Sequence, residues 1–199
     1  MKIMLIPILV LSLFIGFGFT EDDSTAVYQE KFGFTGYVEP MLKFTPVDQQ
    51  FGMMAGLEAG IVLDWSFSVG IAGHSLIWPV EPNVAPEQQL VFNYGGLTLD
   101  WIIRPFEMVH GGFSVLIGAG YTAFSDSGLS EEGFLVVEPE WFFTVNTCRF
   151  AQVQLGFGLR FIYHDDGWFP HDYVKDFTDL NQLVATLGVR FGKFKIEYE

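Results

Sequence analysis

Apolar and polar residues alternate strictly along the stretch from Phe150 to Tyr163, FAQVQLGFGLRFIY. From Ala151 onwards every odd position is apolar or aromatic, and the positions between them begin with Gln152, Gln154, Gly156, Gly158 and Arg160. Such alternation is typical of a β-strand with one apolar and one polar face. Ordinary strands have about 5–6 residues, whereas a tilted strand that crosses a bilayer needs roughly 9–11. The stretch therefore predicts a transmembrane strand.

The same alternation recurs along the chain and predicts eight antiparallel strands. Their approximate bounds are 32–44, 53–64, 67–78, 89–103, 112–124, 133–145, 150–163 and 182–191. The fourth strand is the least regular, and Asn93-Tyr94-Gly95-Gly96 is a candidate β-bulge. Short and long connections on opposite rims are typical of transmembrane barrels. With both termini at the short-turn rim, the loops expected to face outward from the cell are 45–50, 79–88, 125–132 and 164–180.

Alternation alone does not decide which face points outward, since a lipocalin-like barrel has its apolar face inside. Eight glycines fall on the polar face, where they would make room for large side chains inside a narrow barrel. They are Gly56, Gly60, Gly70, Gly118, Gly120, Gly156, Gly158 and Gly188. About twelve residues tilted near 45° span roughly 28 Å, close to the thickness of a hydrocarbon core. The sequence thus predicts an all-β fold, an eight-stranded antiparallel up-and-down transmembrane β-barrel.

Aromatic residues near the strand ends support the same orientation, because amphipathic rings suit the two membrane interfaces. A soluble β-sandwich with ordinary aromatic strand ends is the alternative explanation. The predicted interface belt is Trp65, Trp78, Trp101, Trp141 and Tyr163.

The polar face would line the barrel interior, where buried charges must pair or be neutralised. Hairpin register places Arg160 diagonal to Glu138, and acids outnumber bases, so some carboxylates are expected to share protons or hold water. The network would be either a plug that stiffens the barrel or a proton or ion path, and the narrow lumen of eight strands favours the plug. The predicted interior charge network is Glu39, Lys43, Glu58, Glu138, Glu140, Arg160 and Arg190, with His74 and Asp100 on the same face.

Composition narrows the possible partners. The net charge of −14, from 24 acidic and 10 basic residues, argues against nucleic acid. The single Cys148 cannot form an intrachain disulfide.

A lysine followed by an apolar run and then acidic residues predicts a secretory signal peptide, for which an uncleaved anchor is the alternative. The expected layout is a signal peptide at 1–20 (with cleavage as late as 26), a flexible lead at 21–31, a barrel at 32–192 and a polar tail at 193–199.

The eighth strand ends in TLGVRFGKF, which is similar to the aromatic-containing terminal strand of small outer-membrane barrels. It departs from that pattern because KFKIEYE continues beyond Phe191, in place of a terminal Phe. Eight alternating strands behind a signal peptide resemble OmpX and the OmpA membrane domain over about 32–192. The resemblance implies the cell outer membrane of a Gram-negative-type bacterium, contact with outer-membrane lipid, insertion by the barrel-assembly machinery and no cofactor.

A structural or surface-interaction role through acidic outer loops follows from this resemblance, with an extracellular partner that the sequence does not identify. An OmpW-like, porin-like channel for small solutes and a lipid A-modifying enzyme are the alternatives. The enzyme would need a His with a Ser and an acid. His74 and Ser75 are neighbours and point to opposite strand faces, and His164 or His171 would have to use loop carboxylates. No catalytic residue is therefore assigned.

The four outer loops together carry 11 acidic residues and a single base, Lys175. Carboxylates with histidine could hold a divalent cation, but the spacing matches no metal motif, so a solvated acidic rim is the simpler interpretation. The weak candidates for metal ligands are His164, Asp165, Asp166, His171 and Asp172. Basic residues gather at the opposite rim, where they can reach phospholipid headgroups: Lys31, Arg104, Arg149, Lys193 and Lys195.

Overall fold

The computed structural model describes residues 33–47, 50–78, 90–124, 132–163 and 182–194. Every regular element within these residues is a β-strand. The strands are β1 Phe34–Val47, β2 Gln50–Leu63, β3 Phe67–Leu76, β4 Leu90–Ile103, β5 Val109–Phe124, β6 Glu132–Cys148, β7 Ala151–Leu159, β8 Phe161–Tyr163 and β9 Leu183–Gly192. No helix in this part of the chain has the length and hydropathy needed to cross a membrane.

The strands close into a barrel. Each pairs antiparallel with its neighbours in sequence from β1 to β6, β7 pairs with β6 and β9, and β9 returns to pair with β1. Short β8 continues the register of β7 along β6. The two segments therefore form one strand with a break, and the predicted eight-stranded antiparallel barrel is confirmed.

The break at Arg160 has a cause on the neighbouring strand. Glu140 pairs with Gly158 and Val137 with Phe161, so Pro139 lies opposite Leu159. Proline has no backbone N–H to give to the ladder. The same register places Glu138 directly opposite Arg160, whereas the sequence predicted a diagonal position. A β-bulge between Asn146 and Cys148, which sequence counting did not include, shifts the register by one residue.

Several strand ends lie beyond their predicted positions. β1 continues to Val47 and β2 begins at Gln50, so the first connection is shorter than the predicted 45–50. Val47 is fully buried, which explains why the pairing extends that far. β5 begins at Val109 and β6 reaches Cys148, in segments predicted to be turns. Both chain ends of the barrel lie beside the short turns, since Asp64 N donates to Gly33 O and Phe194 N donates to Arg149 O.

The bulge predicted at residues 93–96 is wrong, because β4 keeps one unbroken register with both neighbours. Glycine has a different role there. A Cβ at Gly96 would overlap the carbonyl oxygen of Ile117, and one at Gly118 would overlap that of Gly95. The glycines allow close approach of two backbones, which is the other common reason for glycine inside a strand.

The two faces of the barrel wall have the polarity that the sequence predicted. Within the described residues, 30 large apolar side chains are exposed on the outside, while 20 polar or charged residues are buried. A water-soluble barrel would have the opposite distribution. The apolar face of β7 illustrates this, with Leu155, Phe157 and Leu159 all exposed.

The interior has three layers. At the end where the longer loops join, here called the loop end, a loop-end cluster consists of Val47, Met54, Ala72, Phe92, Tyr94, Leu116, Phe134, Val136 and Ile162. At the opposite, turn end, a turn-end cluster consists of Tyr37, Val62, Ile102, Phe142 and Phe194. Charged side chains fill the layer between them. Phe194, in the predicted polar tail, is buried in the turn-end mouth, and residues 195–199 lie outside the described part.

Candidate functional site: the charged interior of the barrel

Glu138 is the centre of the first ionic cluster. It projects inward from β6 and is 2% exposed. Lys43 of β1 forms an ion pair with its Oε1, and Arg160 Nε donates to its Oε2 at 3.0 Å. Tyr94 of β4 donates its hydroxyl to the same Oε2 at 2.9 Å. One carboxylate thus joins three strands that are distant in sequence, and charge-assisted hydrogen bonds of this kind are among the strongest in proteins.

Two aromatic rings and several hydrogen bonds hold the guanidinium of Arg160. Its side chain lies over the rings of Phe92, at 5.3 Å, and Tyr94, at 4.9 Å. Nη2 donates to the Tyr94 hydroxyl at 3.2 Å. A planar, weakly hydrated guanidinium suits a site that combines aromatic contacts with a carboxylate. These contacts place the cation at the boundary between the loop-end cluster and the charged layer.

Arg190 is the centre of the second ionic cluster, on β9. Its Nε donates to Glu39 Oε2 at 2.5 Å and its Nη2 donates to Asp100 Oδ2 at 3.0 Å. Glu58 Oε1 lies 3.9 Å from Nη2, and the guanidinium carbon lies 4.2 Å from the centre of the Tyr37 ring. One arginine therefore faces three carboxylates, so charge alone does not balance within this cluster.

Hydroxyl groups supply further hydrogen bonds to the carboxylates of Asp100 and Glu58. Ser68 and Ser114 each donate to Asp100, both at 2.6 Å. Two further hydroxyls donate to Glu58 Oε1, from Tyr37 at 2.5 Å and Thr98 at 3.1 Å. Neutral donors stabilise buried carboxylates without adding another charge that would need a partner.

The interior retains an excess of acid. Five buried carboxylates, those of Glu39, Glu58, Asp100, Glu138 and Glu140, face three buried cations in the described residues, those of Lys43, Arg160 and Arg190. All seven members of the predicted network lie inside the barrel, together with His74 and Asp100. They form two clusters, with Glu140 bound separately by a hydrogen bond from Thr186 Oγ1.

Glycines create the space that these large groups occupy. A Cβ at Gly188 would overlap Glu39 Oε1, one at Gly156 would overlap Glu140, and one at Gly56 would overlap the His74 ring. This is the role that their position on the polar face predicted, since an eight-stranded barrel has barely enough room for its own side chains.

Gly118→Ala should therefore be destabilising, because its Cβ would overlap the backbone of Gly95, which cannot rotate away. Overpacking costs about 1–3 kcal/mol. Gly73→Ala is the matched control, since no atom lies within 4 Å of the position of its Cβ. Urea unfolding of both variants, followed by tryptophan fluorescence, measures the difference. Equal stability of the two variants would contradict the packing described here.

The exposed aromatic residues follow an oblique row across the outer face. Cross-strand pairs join Phe67 to Trp101, Trp101 to Phe113, Phe113 to Trp141, and Trp141 to Phe157. Trp78 and Tyr163 are also exposed, at the loop end. Trp78, Trp101, Trp141 and Tyr163 therefore face outward, and their position at a membrane interface stays a prediction.

Trp65 differs from the other members of the predicted belt. It lies in a turn with φ of 59°, next to Asp64 with φ of 48°. Its ring lines a small cavity in the turn-end mouth beside Phe194 and lies 6.4 Å from the Phe106 ring. The left-handed turn redirects this side chain toward the mouth, so alternation could not predict its position.

The remaining candidates are separated or lie outside the described residues. His74 is buried and Ser75 is exposed, as their neighbouring positions predicted. His164, Asp165, Asp166, His171 and Asp172 all lie outside the described part of the chain. Within the residues that the structure describes, no group of three His, Cys, Asp or Glu side chains could hold a metal ion. Arg104, Arg149 and Lys193 lie at the turn end, as predicted.

Sequence reasoning did not identify the neutral members of the network. Tyr37 and Tyr94 donate to Glu58 and Glu138, and Thr98 and Ser114 complete the carboxylate shells. The available signal was their position on the inward face of a strand. Each lies an even number of residues from a buried charge on its own strand, or directly opposite one on the neighbouring strand. Which oxygen each hydroxyl meets depends on the stagger between strands, which parity does not give.

Comparison with known proteins identifies the architecture. No family model and no curated protein matches the sequence. Among solved structures, Neisserial surface protein A (NspA) is similar with a TM-score of 0.57 at 8% identity, over 81% of this chain and 96% of that one. Ail, the attachment invasion locus protein of Yersinia pestis, solved in complex with the heparin analogue sucrose octasulfate, is similar with a TM-score of 0.50 at 12% identity, over 80% of this chain and 98% of that one. A likeness at such low identity concerns the fold, and the chain accordingly has the fold of the small eight-stranded outer-membrane β-barrels.

Proposed function

We propose that this protein is an outer-membrane β-barrel with a filled interior, which anchors its loops at the cell surface in a structural or surface-interaction role. One observation carries the proposal: the apolar residues lie outside a closed barrel, and the ion pairs lie inside it. The strands have up to 17 residues, and a tilted strand needs roughly 9–11 to cross the hydrocarbon core. An apolar exterior of this height is stable only when lipid covers it.

The filled interior favours an anchor over a solute channel. The loop-end and turn-end clusters each contain buried aromatic side chains across the lumen. Arg160 and Glu138, at 1% and 2% exposed, occupy the layer between. An OmpW-like channel would need a continuous path through these layers, whereas an eight-stranded barrel is narrow enough for side chains to fill it.

The rims suggest different neighbours. Arg104, Arg149 and Lys193 at the turn end can reach phospholipid headgroups, as basic residues do at membrane interfaces. The loops expected at the cell surface carry 11 acidic residues and one lysine. A sulfated polyanion such as the heparin analogue in the Ail structure would be repelled by that charge, so we infer a neutral or cationic partner for the loops. Insertion by the barrel-assembly machinery belongs to the same proposal.

Cell fractionation and gel migration test the location. We expect the protein in the outer-membrane fraction, with faster migration in an unboiled sample than in a boiled one, because a closed barrel resists detergent until it is heated. A soluble periplasmic protein with a single migration position would contradict the proposal.

Planar-bilayer recording tests the filled interior. We expect no conductance steps from the wild-type protein, and none from the Glu140→Gln variant, which removes a charge without removing volume. Reproducible single-channel steps from the wild-type protein would favour the channel alternative, particularly if Glu140→Gln changed their ion selectivity.

A further inference from the structure

His74 is a buried polar side chain that belongs to neither ionic cluster. It projects inward from β3, is 4% exposed and lies opposite Gly56 of β2. Its ring centre lies 4.9 Å from that of Tyr94. Among the residues that the structure describes, neither Nδ1 nor Nε2 finds a hydrogen-bond partner. A buried imidazole normally satisfies both nitrogens, because leaving a buried polar atom unpaired is unfavourable.

A cavity lies beside this ring, within the charged layer. The centre of a water molecule can move within a volume of about 20 Å³ in this cavity. A cavity needs roughly 10–15 Å³ by this measure to hold one water, which also needs two to four polar partners. The lining supplies them, since it includes His74, Lys43, Ser114, Glu140 and Gln154.

We propose that this cavity is a hydration site that holds one or two water molecules hydrogen-bonded to the imidazole of His74. Water is the ligand that fits, because a neutral imidazole has one nitrogen that donates and one that accepts, and a water molecule can pair with either. A metal ion fits less well, since no group of three metal-ligating residues occurs in the described part of the chain. An empty cavity fits no better than a metal ion, because cavities that hold no water have apolar linings.

The two apolar clusters isolate this water from both ends of the barrel. Phe92 and Phe134 are fully buried on the loop-end side, and Phe142 is buried on the turn-end side. Exchange with bulk solvent therefore requires the barrel to open locally. We expect the water to remain in place long enough to behave as part of the protein in magnetic relaxation.

Nuclear magnetic resonance on the full-length wild-type barrel in detergent micelles tests the site. The probe is water itself, and the readout is the nuclear Overhauser effect between water and the carbon-bound ring protons of His74. We expect cross-peaks with the sign of a slowly tumbling complex.

Three outcomes decide the proposal. Long-lived water cross-peaks at the His74 ring protons support it. If the Gln154 side-chain amide also shows water cross-peaks, and a His74→Phe variant loses them, the water belongs to the same cavity. Long-lived water at Gln154 that does not contact His74 in the wild-type protein overturns the assignment of His74 as its hydrogen-bond partner. The absence of any long-lived water overturns the site. The wild-type spectrum alone separates these outcomes, so the test does not depend on the folding of the variant.

Discussion

Glu138→Ala should lower the free energy of unfolding by about 3–5 kcal/mol, the usual cost of removing one partner from a buried ion pair. The side chain accepts the ion pair from Lys43 and hydrogen bonds from Arg160 and Tyr94. Alanine would leave two buried cations without a counter-ion. Urea unfolding in lipid vesicles, followed by tryptophan fluorescence, measures the change.

Glu107→Ala is the matched control for that experiment. Its carboxylate lies 3.4 Å from Arg104, and both side chains are more than half exposed at the turn end. Exposed ion pairs contribute about 0–1 kcal/mol, so this variant should unfold close to the wild type. A Glu138→Ala barrel as stable as the Glu107→Ala barrel would mean that the ionic clusters do not stabilise the fold.

Phe157→Arg should also destabilise the barrel strongly, provided that the outer face meets lipid. The side chain is 59% exposed in the middle of the strand formed by β7 and β8. An arginine on the lipid face at the bilayer midplane costs about 2–4 kcal/mol, whereas near the interface it costs roughly 0–1 kcal/mol. Folding efficiency into vesicles and urea unfolding measure the effect.

Phe150→Arg provides the comparison at the rim. Phe150 is 68% exposed in the turn before β7, where lipid headgroups and water would replace hydrocarbon. We expect this variant to fold almost as well as the wild type. If Phe157→Arg were the more soluble and equally stable variant, water and not lipid would cover the outer face.

The strands and their faces could be predicted because side chains alternate across a strand whatever its register. Parity alone therefore places Phe157 and Glu138 on opposite faces of the barrel wall, as the structure has them. The glycines on the polar face then indicated that this face points into the barrel, since only a crowded interior explains them. Gly156 and Gly188 indeed lie against the carboxylates of Glu140 and Glu39.

Features that depend on register or on backbone strain could not be predicted in the same way. The bulge at Asn146 and Cys148 shifts β6 against β7 by one residue and places Arg160 opposite Glu138. The backbone turn with positive φ directs the Trp65 side chain toward the turn-end mouth of the barrel. Phe194 lies in a segment that looks polar, yet it is buried in the turn-end cluster. The bulge and the turn depend on local backbone geometry, and the burial of Phe194 depends on contacts with strands that are distant in sequence.

Spin-label accessibility along residues 153–159 tests the orientation of the barrel wall most directly. Single cysteines introduced in a Cys148→Ser background would carry a nitroxide, and collisions with dissolved oxygen and with a polar nickel complex would be measured in bilayers. We expect oxygen accessibility to peak at positions 153, 155, 157 and 159, with nickel excluded from all four. High nickel accessibility at 155 and 157, or an oxygen profile without a period of two, would contradict a lipid-facing apolar exterior.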